Sequence, residues 1–305
     1  MASGLFDVFV MVDWSASSVP RCGRDSIWSA TLDVVTGEVD VVNHRTRRAA
    51  GAALKDVLVG ATERRVLVGL DVPFGYPVGF AACLPGPAAN WRAMWSFLTA
   101  EVRDDERNRN NRFELAARLN ELVAAGSGGT TGPFWGCPAT QRSRSLDPRK
   151  AHRFPVPGPA GPIDEFRLAE RRCFETGRRP LSVWQTAYAG SVGSQALLAI
   201  PVISRLVDDP DLAERSEVWP FTTGLTHDPT GGRDDVVVHA EIWPSAFELE
   251  RDLHEVKDAA QVMTVCRRLA EADAAGRLGG WFAPDVDADD VERVVTEEGW
   301  ILGIA

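Results

Sequence analysis

Two short apolar runs, each closed by an aspartate, constrain this chain more than any other feature. Residues 7–12 (DVFVMV) and 66–70 (VLVGL) are short and almost wholly apolar, which predicts strands buried on both faces of a sheet. Asp13 and Asp71 follow them directly. Between the two runs, residues 26–34 alternate enough to form a strand, and Thr36-Gly37 turns the chain into a third at 38–42. Residues 47–64 then place Ala49, Ala53, Leu54, Val57, Leu58 and Ala61 at helical spacing. The first 71 residues therefore predict the order β-β-β-α-β.

Beyond Asp71 a stiff loop, Pro73-Phe74-Gly75-Tyr76-Pro77, leads to helices predicted over 91–102 and 112–125. Residues 126–162 are rich in Gly, Pro, Ser and Thr, and predict a long loop without regular structure. Helices are expected at 164–175 and 194–207. A second clear core strand at 236–243 (VVVHAEIW) carries Glu241 near its end. Helices at 246–253 and 256–275 follow, with Asp258 opening the last. No internal repeat is present. The pattern is that of an α/β protein whose core is built from residues 1–85 and 215–305, with 86–214 inserted as a helical, arginine-rich segment.

Composition excludes several function classes. No stretch of about 18 apolar residues exists, and the first apolar run lacks a basic leader, so the expectation is a cytoplasmic chain with no membrane partner. The five cysteines form no CxxC pair of the kind that holds zinc and are expected to be reduced thiols. Residues 126–132 (GSGGTTG) lack the GK[ST] of a P-loop, and the five histidines follow no triad signature beside Ser15 or Ser17. The net charge is −10, yet residues 101–180 hold 15 basic and 11 acidic side chains against 18 and 32 elsewhere. An anion is expected against that middle segment, and the acidic remainder argues against a tight nonspecific grip on long duplexes.

Acids at the ends of separate core strands carry the chemistry. Asp13, Asp71 and Glu241 are expected at one edge of the sheet, where open α/β sheets bind ligands, with Asp258 on the helix packed beneath. Converging carboxylates stay ionised most easily around hard cations, Mg2+ or Mn2+. Arg109, Arg112, Arg167 and Arg171, with Arg107 and Arg172, are candidates to grip phosphates bidentately. Trp91, Trp95, Trp184, Phe134 and Trp135 are candidates to stack bases, and Phe134-Trp135, inside the glycine-rich loop, is the expected substrate lid. Residues 190–194 could offer the backbone N–H groups of a helix N-terminus to a phosphate.

The order β-β-β-α-β with acids after the first and fourth strands, and a late helix bearing another, resembles the ribonuclease H-like fold of Holliday-junction resolvases. More closely, VDWSAS, GLDVPFGYP, EFRLAERR, AEIWPS and KDAAQV resemble the family of predicted nucleases called domain of unknown function 429, in short patches over most of the chain. The resemblance implies a mixed ribonuclease H-like sheet with a helical insertion. It also implies Asp13, Asp71, Glu241 and Asp258 as metal ligands, and two-metal-ion hydrolysis of phosphodiesters in a nucleic acid or a nucleotide-containing small molecule. The helix between the third and fourth strands opens Thr46-Arg47-Arg48-Ala49, without the glutamate of ribonuclease H itself, which favours the resolvase-like arrangement. Two rival readings remain: an actin-like ATP-binding enzyme, which needs a second β-β-β-α unit, and a noncatalytic nucleotide- or protein-binding module whose acids are structural.

Overall fold

The computed structural model describes residues 4–128, 132–188 and 190–304. Six strands form one mixed sheet: β1 (Val8–Asp13), β2 (Ile27–Asp33), β3 (Val39–His44), β4 (Arg65–Leu70), β5 (Ser216–Val218) and β6 (Val236–Glu241), in the order β3-β2-β1-β4-β6-β5. β2 runs antiparallel to both β1 and β3, whereas β1, β4, β6 and β5 are mutually parallel. The parallel strands all end at one edge, and the chain is an α/β protein. Only β5 and β6 follow β4, so the described residues hold no second β-β-β-α unit.

The sheet is covered on both faces, as its unbroken apolar strands require. Side chains alternate along β1. Val8, Val10 and Val12 pack with Leu54 and Leu58 of α1 (Arg47–Gly60) and with Leu197 and Ile200 of α5 (Val192–Val207). Phe9 and Met11 face the other way, toward Val262, Val265 and Leu269 of α6 (Lys257–Ala274). The segment 86–214 shares the first of these cores, through Met94 and Trp95 of α2 (Trp91–Glu101) and Leu115 and Leu119 of α3 (Arg112–Ser127). Trp91 lies stacked on Phe221, and Trp95 donates its indole N–H to the Phe74 carbonyl at 2.7 Å. These two tryptophans are packing elements, not base-stacking surfaces.

Several local expectations change in the fold. Residues 246–253 form no α-helix but flank two 3₁₀ turns, Pro244–Ala246 and Arg251–Leu253; the Glu250 N–H goes sideways to the Thr264 hydroxyl of α6 at 3.1 Å instead of up a helix. The helix expected from 164 starts later, as α4 (Leu168–Glu175), because the Glu170 carboxylate accepts the Arg167 N–H at 2.9 Å and closes the first turn there. Two short helices, α7 (Leu278–Phe282) and α8 (Ala288–Arg293), and a π-helical turn, Val294–Glu298, complete the C-terminal segment. Among the described residues no helix is long and apolar enough to cross a membrane.

Gly69 sets how closely β4 approaches its neighbours. It pairs with Met11, and a Cβ there would lie 2.5 Å from the Met11 sulfur and 2.7 Å from an Ile242 methyl carbon. Gly69→Ala is therefore expected to overpack the core and lower stability by about 1–3 kcal/mol in urea unfolding. A change below about 0.5 kcal/mol would show that this face is loosely filled.

Candidate functional site

Sheet register brings the strand-end acids together. Val12 pairs with Leu70, and Leu70 with Glu241. One residue further along, Asp13 and Asp71 stand beside each other, joined through the backbone by the Asp71 N–H donating to the Val12 carbonyl at 3.0 Å. Neither carboxylate accepts a hydrogen bond from the described residues. Burial pushes the Asp13 carboxyl well above the usual carboxylate range, and the charges of Asp71, Asp258 and Asp25 push the same way against Lys257. Burial, then the Glu241 charge, lifts Asp71 to about 7. Each of these adjacent acids opposes ionisation of the other, a repulsion that a proton or a nearby cation relieves.

The loops leaving the two strands are held by buried contacts. Arg47, buried at the start of α1, donates to the Ser15 and Ser17 carbonyls at 3.1 and 2.8 Å, and grips Asp104 with two bonds of 2.5 and 2.6 Å. Gln195 of α5 reaches across to donate to the Trp14 carbonyl at 2.6 Å. These bonds fix the chain that follows Asp13. Beyond Asp71, Gly75 lies so close to the backbone of Glu297 and Glu298 that a Cβ would collide with their carbonyls, and Phe74 N–H donates to Glu241 at 3.1 Å.

Glu241 does not present a free carboxylate. Its Oε1 and Oε2 accept from the two terminal nitrogens of Arg167 at 2.6 and 2.7 Å. Arg167 is wholly buried, also bonded to Glu170 and to the Glu298 carbonyl at 2.8 Å. Against the opposing push of burial, Glu170 and Glu241 hold its guanidinium strongly protonated, and burial pushes Glu241 up against the pull of Arg167. Sequence spacing suggested Glu241 as a metal ligand and Arg167 as a phosphate grip; the structure directs each at the other.

The remaining candidates are dispersed. Asp258 lies in the first turn of α6 and accepts the Asp25 N–H at 2.7 Å, yet shares a cavity with Asp13. Arg109 pairs with Asp105 at 2.6 Å on the surface, and Arg171 pairs with Asp164, so neither faces the acids. Arg112 does. Its Nη1 donates to the Ser18 hydroxyl at 2.7 Å and to Asn110 at 2.8 Å, its Nε is buried with no partner among the described residues, and it makes no ion pair there. Burial and neighbouring Arg47 lower it to about 10, so it stays charged at neutral pH.

Phe134 is not on a lid: it is buried against Tyr76, Phe80 and Trp184, and its N–H donates to Asn120 at 2.8 Å. Trp135 is half-buried, its N–H bonded to the Trp184 carbonyl, and it lines a separate cavity. Residues 129–131 of the glycine-rich stretch lie outside the described residues. The α5 N-terminus also differs from expectation, because the N–H groups of Val192, Gly193 and Ser194 already bond to Gly190, Gln185 and Ser191 carbonyls.

What the elements enclose is a cleft of two adjoining lobes at the carboxyl ends of the strands. The larger, about 560 Å³, is lined by Asp13, Asp258, Arg21, Arg112, Phe113 and Tyr188. The smaller, about 260 Å³, is lined by Asp71, Glu241, Glu170 and Arg179, and Gly190 and Gln195 border both. Arg21, Tyr188 and Gln195 carry no periodic or motif signal that would have singled them out. No protein-family model, curated protein or solved structure matches this chain. Among the described residues, no three His, Cys, Asp or Glu side chains form a group able to hold one ion. The acids free to face a ligand are Asp13 and Asp71, with Asp258 at the edge.

Two outcomes are expected. Arg167→Met leaves Glu170 and Glu241 buried without their cation and should cost about 3–5 kcal/mol in urea unfolding; a loss under 1 kcal/mol would show the cluster to be dispensable. The second concerns pH. A carboxyl raised on folding contributes stability that is complete below its unfolded value near 3.8 and is lost as pH rises through about 7. Metal-free protein should thus lose stability between pH 4.5 and 7.5 (a window of roughly those limits), and Asp71→Asn should flatten that slope. Identical slopes would contradict the raised carboxyl.

Proposed function

We propose that this chain is a metal-dependent phosphodiester hydrolase of the ribonuclease H-like fold, acting at the two-lobed cleft on a nucleic acid or a nucleotide-containing small molecule. The observation that carries the reading is the Asp13–Asp71 pair: two adjacent carboxylates without hydrogen-bond donors among the described residues, Asp13 lining the larger lobe together with Arg112 and Asp71 lining the smaller. The three antiparallel strands, the helix and the parallel fourth strand support the fold assignment, together with an acid after β1 and another after β4. They equally support the likeness to the predicted nucleases of domain of unknown function 429.

The donor set fits a hard dication in a reduced form. Mg2+ and Mn2+ favour oxygen ligands, and Mg2+ commonly takes only one or two protein carboxylates, completing its shell with water and substrate phosphate. Asp13 and Asp71 supply that pair, and Asp258 borders it. Bound there, such an ion would supply Lewis acidity and a more acidic water. The chain's own residues do the rest. Arg112, which lines the larger lobe and makes no ion pair among the described residues, binds a phosphate oxygen there. Arg167 keeps Glu241 oriented and Glu170 neutralised beside Asp71, and Gln195 holds the Trp14 backbone so that Asp13 stays aligned with Asp71.

The test compares wild type with Asp71→Asn. Saturating Mn2+, at about 100 times its dissociation constant, should stabilise wild type by about 2.7 kcal/mol, read as a rise in Tm that Asp71→Asn largely abolishes. Hydrolysis of single-stranded DNA, RNA, a cyclic dinucleotide and a dinucleotide cofactor should fall by on the order of 100-fold or more in the variant. Equal turnover by both proteins would remove Asp71 from the chemistry. No Mn2+ response and no turnover on any substrate would leave the noncatalytic binding module as the better reading.

A further inference from the structure

Tyr188 sits in a conformation that stability does not explain. Its φ is +73°, in the left-handed region that bulky side chains rarely adopt, and its side chain is exposed at the rim of the larger lobe, the residue being 59% accessible. One polar contact holds it, the hydroxyl donating to the Cys137 carbonyl at 2.8 Å. An asparagine or glycine would fit this backbone more comfortably. The ring is thus fixed at its far end and presented to the cleft in place of being buried. Of the candidate base-stacking residues, Trp91, Trp95, Trp184 and Phe134 are packed into the core or onto it and Trp135 lines a separate cavity; the larger lobe's aromatic lining is Tyr188 and Phe113 beside the buried Trp14.

Phe113 has one face covered by the Arg112 guanidinium, whose carbon lies 4.4 Å from the ring centroid. Arg112, which makes no ion pair among the described residues, lines the same lobe as Tyr188, and the lobe's polar lining includes Ser15, Ser17 and Ser26. Its volume of about 560 Å³ falls within the roughly 300–1,000 Å³ of small-molecule sites. A cavity of that size receives an individual nucleotide, not a stacked helix.

We infer that the larger lobe is a binding site for one unpaired nucleotide, with Tyr188 stacking on its base and Arg112 holding its phosphate. The inference rests on the hydrolase reading only in deepening it: it names the substrate as single-stranded or mononucleotide-like. Stacking on an aromatic ring is tolerant of base identity, so the site selects for an accessible base over sequence.

The experiment is calorimetric titration of the full chain in Mn2+ with a short unlabelled single strand carrying hydrolysis-resistant phosphorothioate linkages. It is repeated with an abasic strand of equal length and with the corresponding duplex. Wild type should bind the base-bearing strand on the order of 10-fold or more tightly than the abasic one, and more tightly than the duplex. Tyr188→Asn suits the backbone and should fold at least as stably; in it the preference for bases should collapse. Tyr188→Phe, which keeps the ring and loses the hydroxyl contact, should retain most of the preference. Equal affinity for base-bearing and abasic strands in wild type, a preference that survives Tyr188→Asn, or tighter binding of the duplex would overturn the inference. The two readings fail separately. A Mn2+ stabilisation lost in Asp71→Asn without any base preference keeps the hydrolase and ends the nucleotide site. A Tyr188-dependent base preference without any Mn2+ response does the reverse.

Discussion

The buried Arg167 guanidinium is the contact on which the site's architecture depends. It joins α4 to the end of β6 through Glu241 and to the C-terminal π turn through the Glu298 carbonyl. Around it, Glu298 accepts N–H groups from Val78 and Leu168 at 3.0 and 2.8 Å and pairs with Arg293 at 2.7 Å. The loop after Asp71, the start of α4 and the chain's last segment thus meet at one ionic knot. A charge taken wholly out of water is tolerable only with such partners. Desolvation makes an ion pair of this kind poor evidence of net stability, but it permits few alternative arrangements, and here the arrangement it permits places Glu241 next to Asp71.

That placement explains the electrostatics of the cleft. With Glu170, Glu241, Glu298 and Asp290 set against Arg167 and Arg293, acids outnumber cations in the knot, and Asp71 lies against its Glu241. Asp13 receives the Asp71 charge in turn, with Asp258 beyond. The acids form a row along the strand ends in which every ionisation opposes the next. A row of this sort favours a proton or a dication at its centre, and it is built by register: parallel pairing of β1, β4 and β6 brings the strand ends level whatever the loops do.

The legible part of this protein was the part encoded locally. Apolar runs with period-two or continuous burial gave β1, β2, β3, β4 and β6, and helical spacing gave α1, α2, α3, α5 and α6, because those signals arise within a dozen residues. The acids at strand ends were legible for the same reason. What escaped depended on contacts between distant segments. Arg167 and Glu241 are separated by 74 residues, and nothing in either neighbourhood distinguishes an arginine that meets substrate from one that meets a glutamate. Phe134 looked exposed because glycines surround it, yet Tyr76, Phe80 and Trp184 close over it. The three-residue edge strand β5 is too short to show a period, and its partner is supplied only by the folded sheet. The left-handed backbone of Tyr188 is similarly invisible, since tyrosine is not a residue whose type announces that conformation.

The middle segment's positive balance also changes meaning in three dimensions. Several of its arginines are answered nearby: Arg103 by Glu114, Arg109 by Asp105, Arg118 by Glu101, Arg142 by Asp147, Arg171 by Asp164 and Arg172 by Glu175. Such exposed pairs contribute little to stability, but they reduce the basic surface that a long polyanion would need. At the acidic cleft, Arg112 in the larger lobe and Arg179 in the smaller make no ion pair among the described residues, and the protein as a whole is acidic. A field of that shape does not gather nucleic acid from a distance. It acts over the length of a single phosphate, so the proposed nucleotide site would depend on what one nucleotide offers at close range: a charge for Arg112 and a flat face for the ring at the rim.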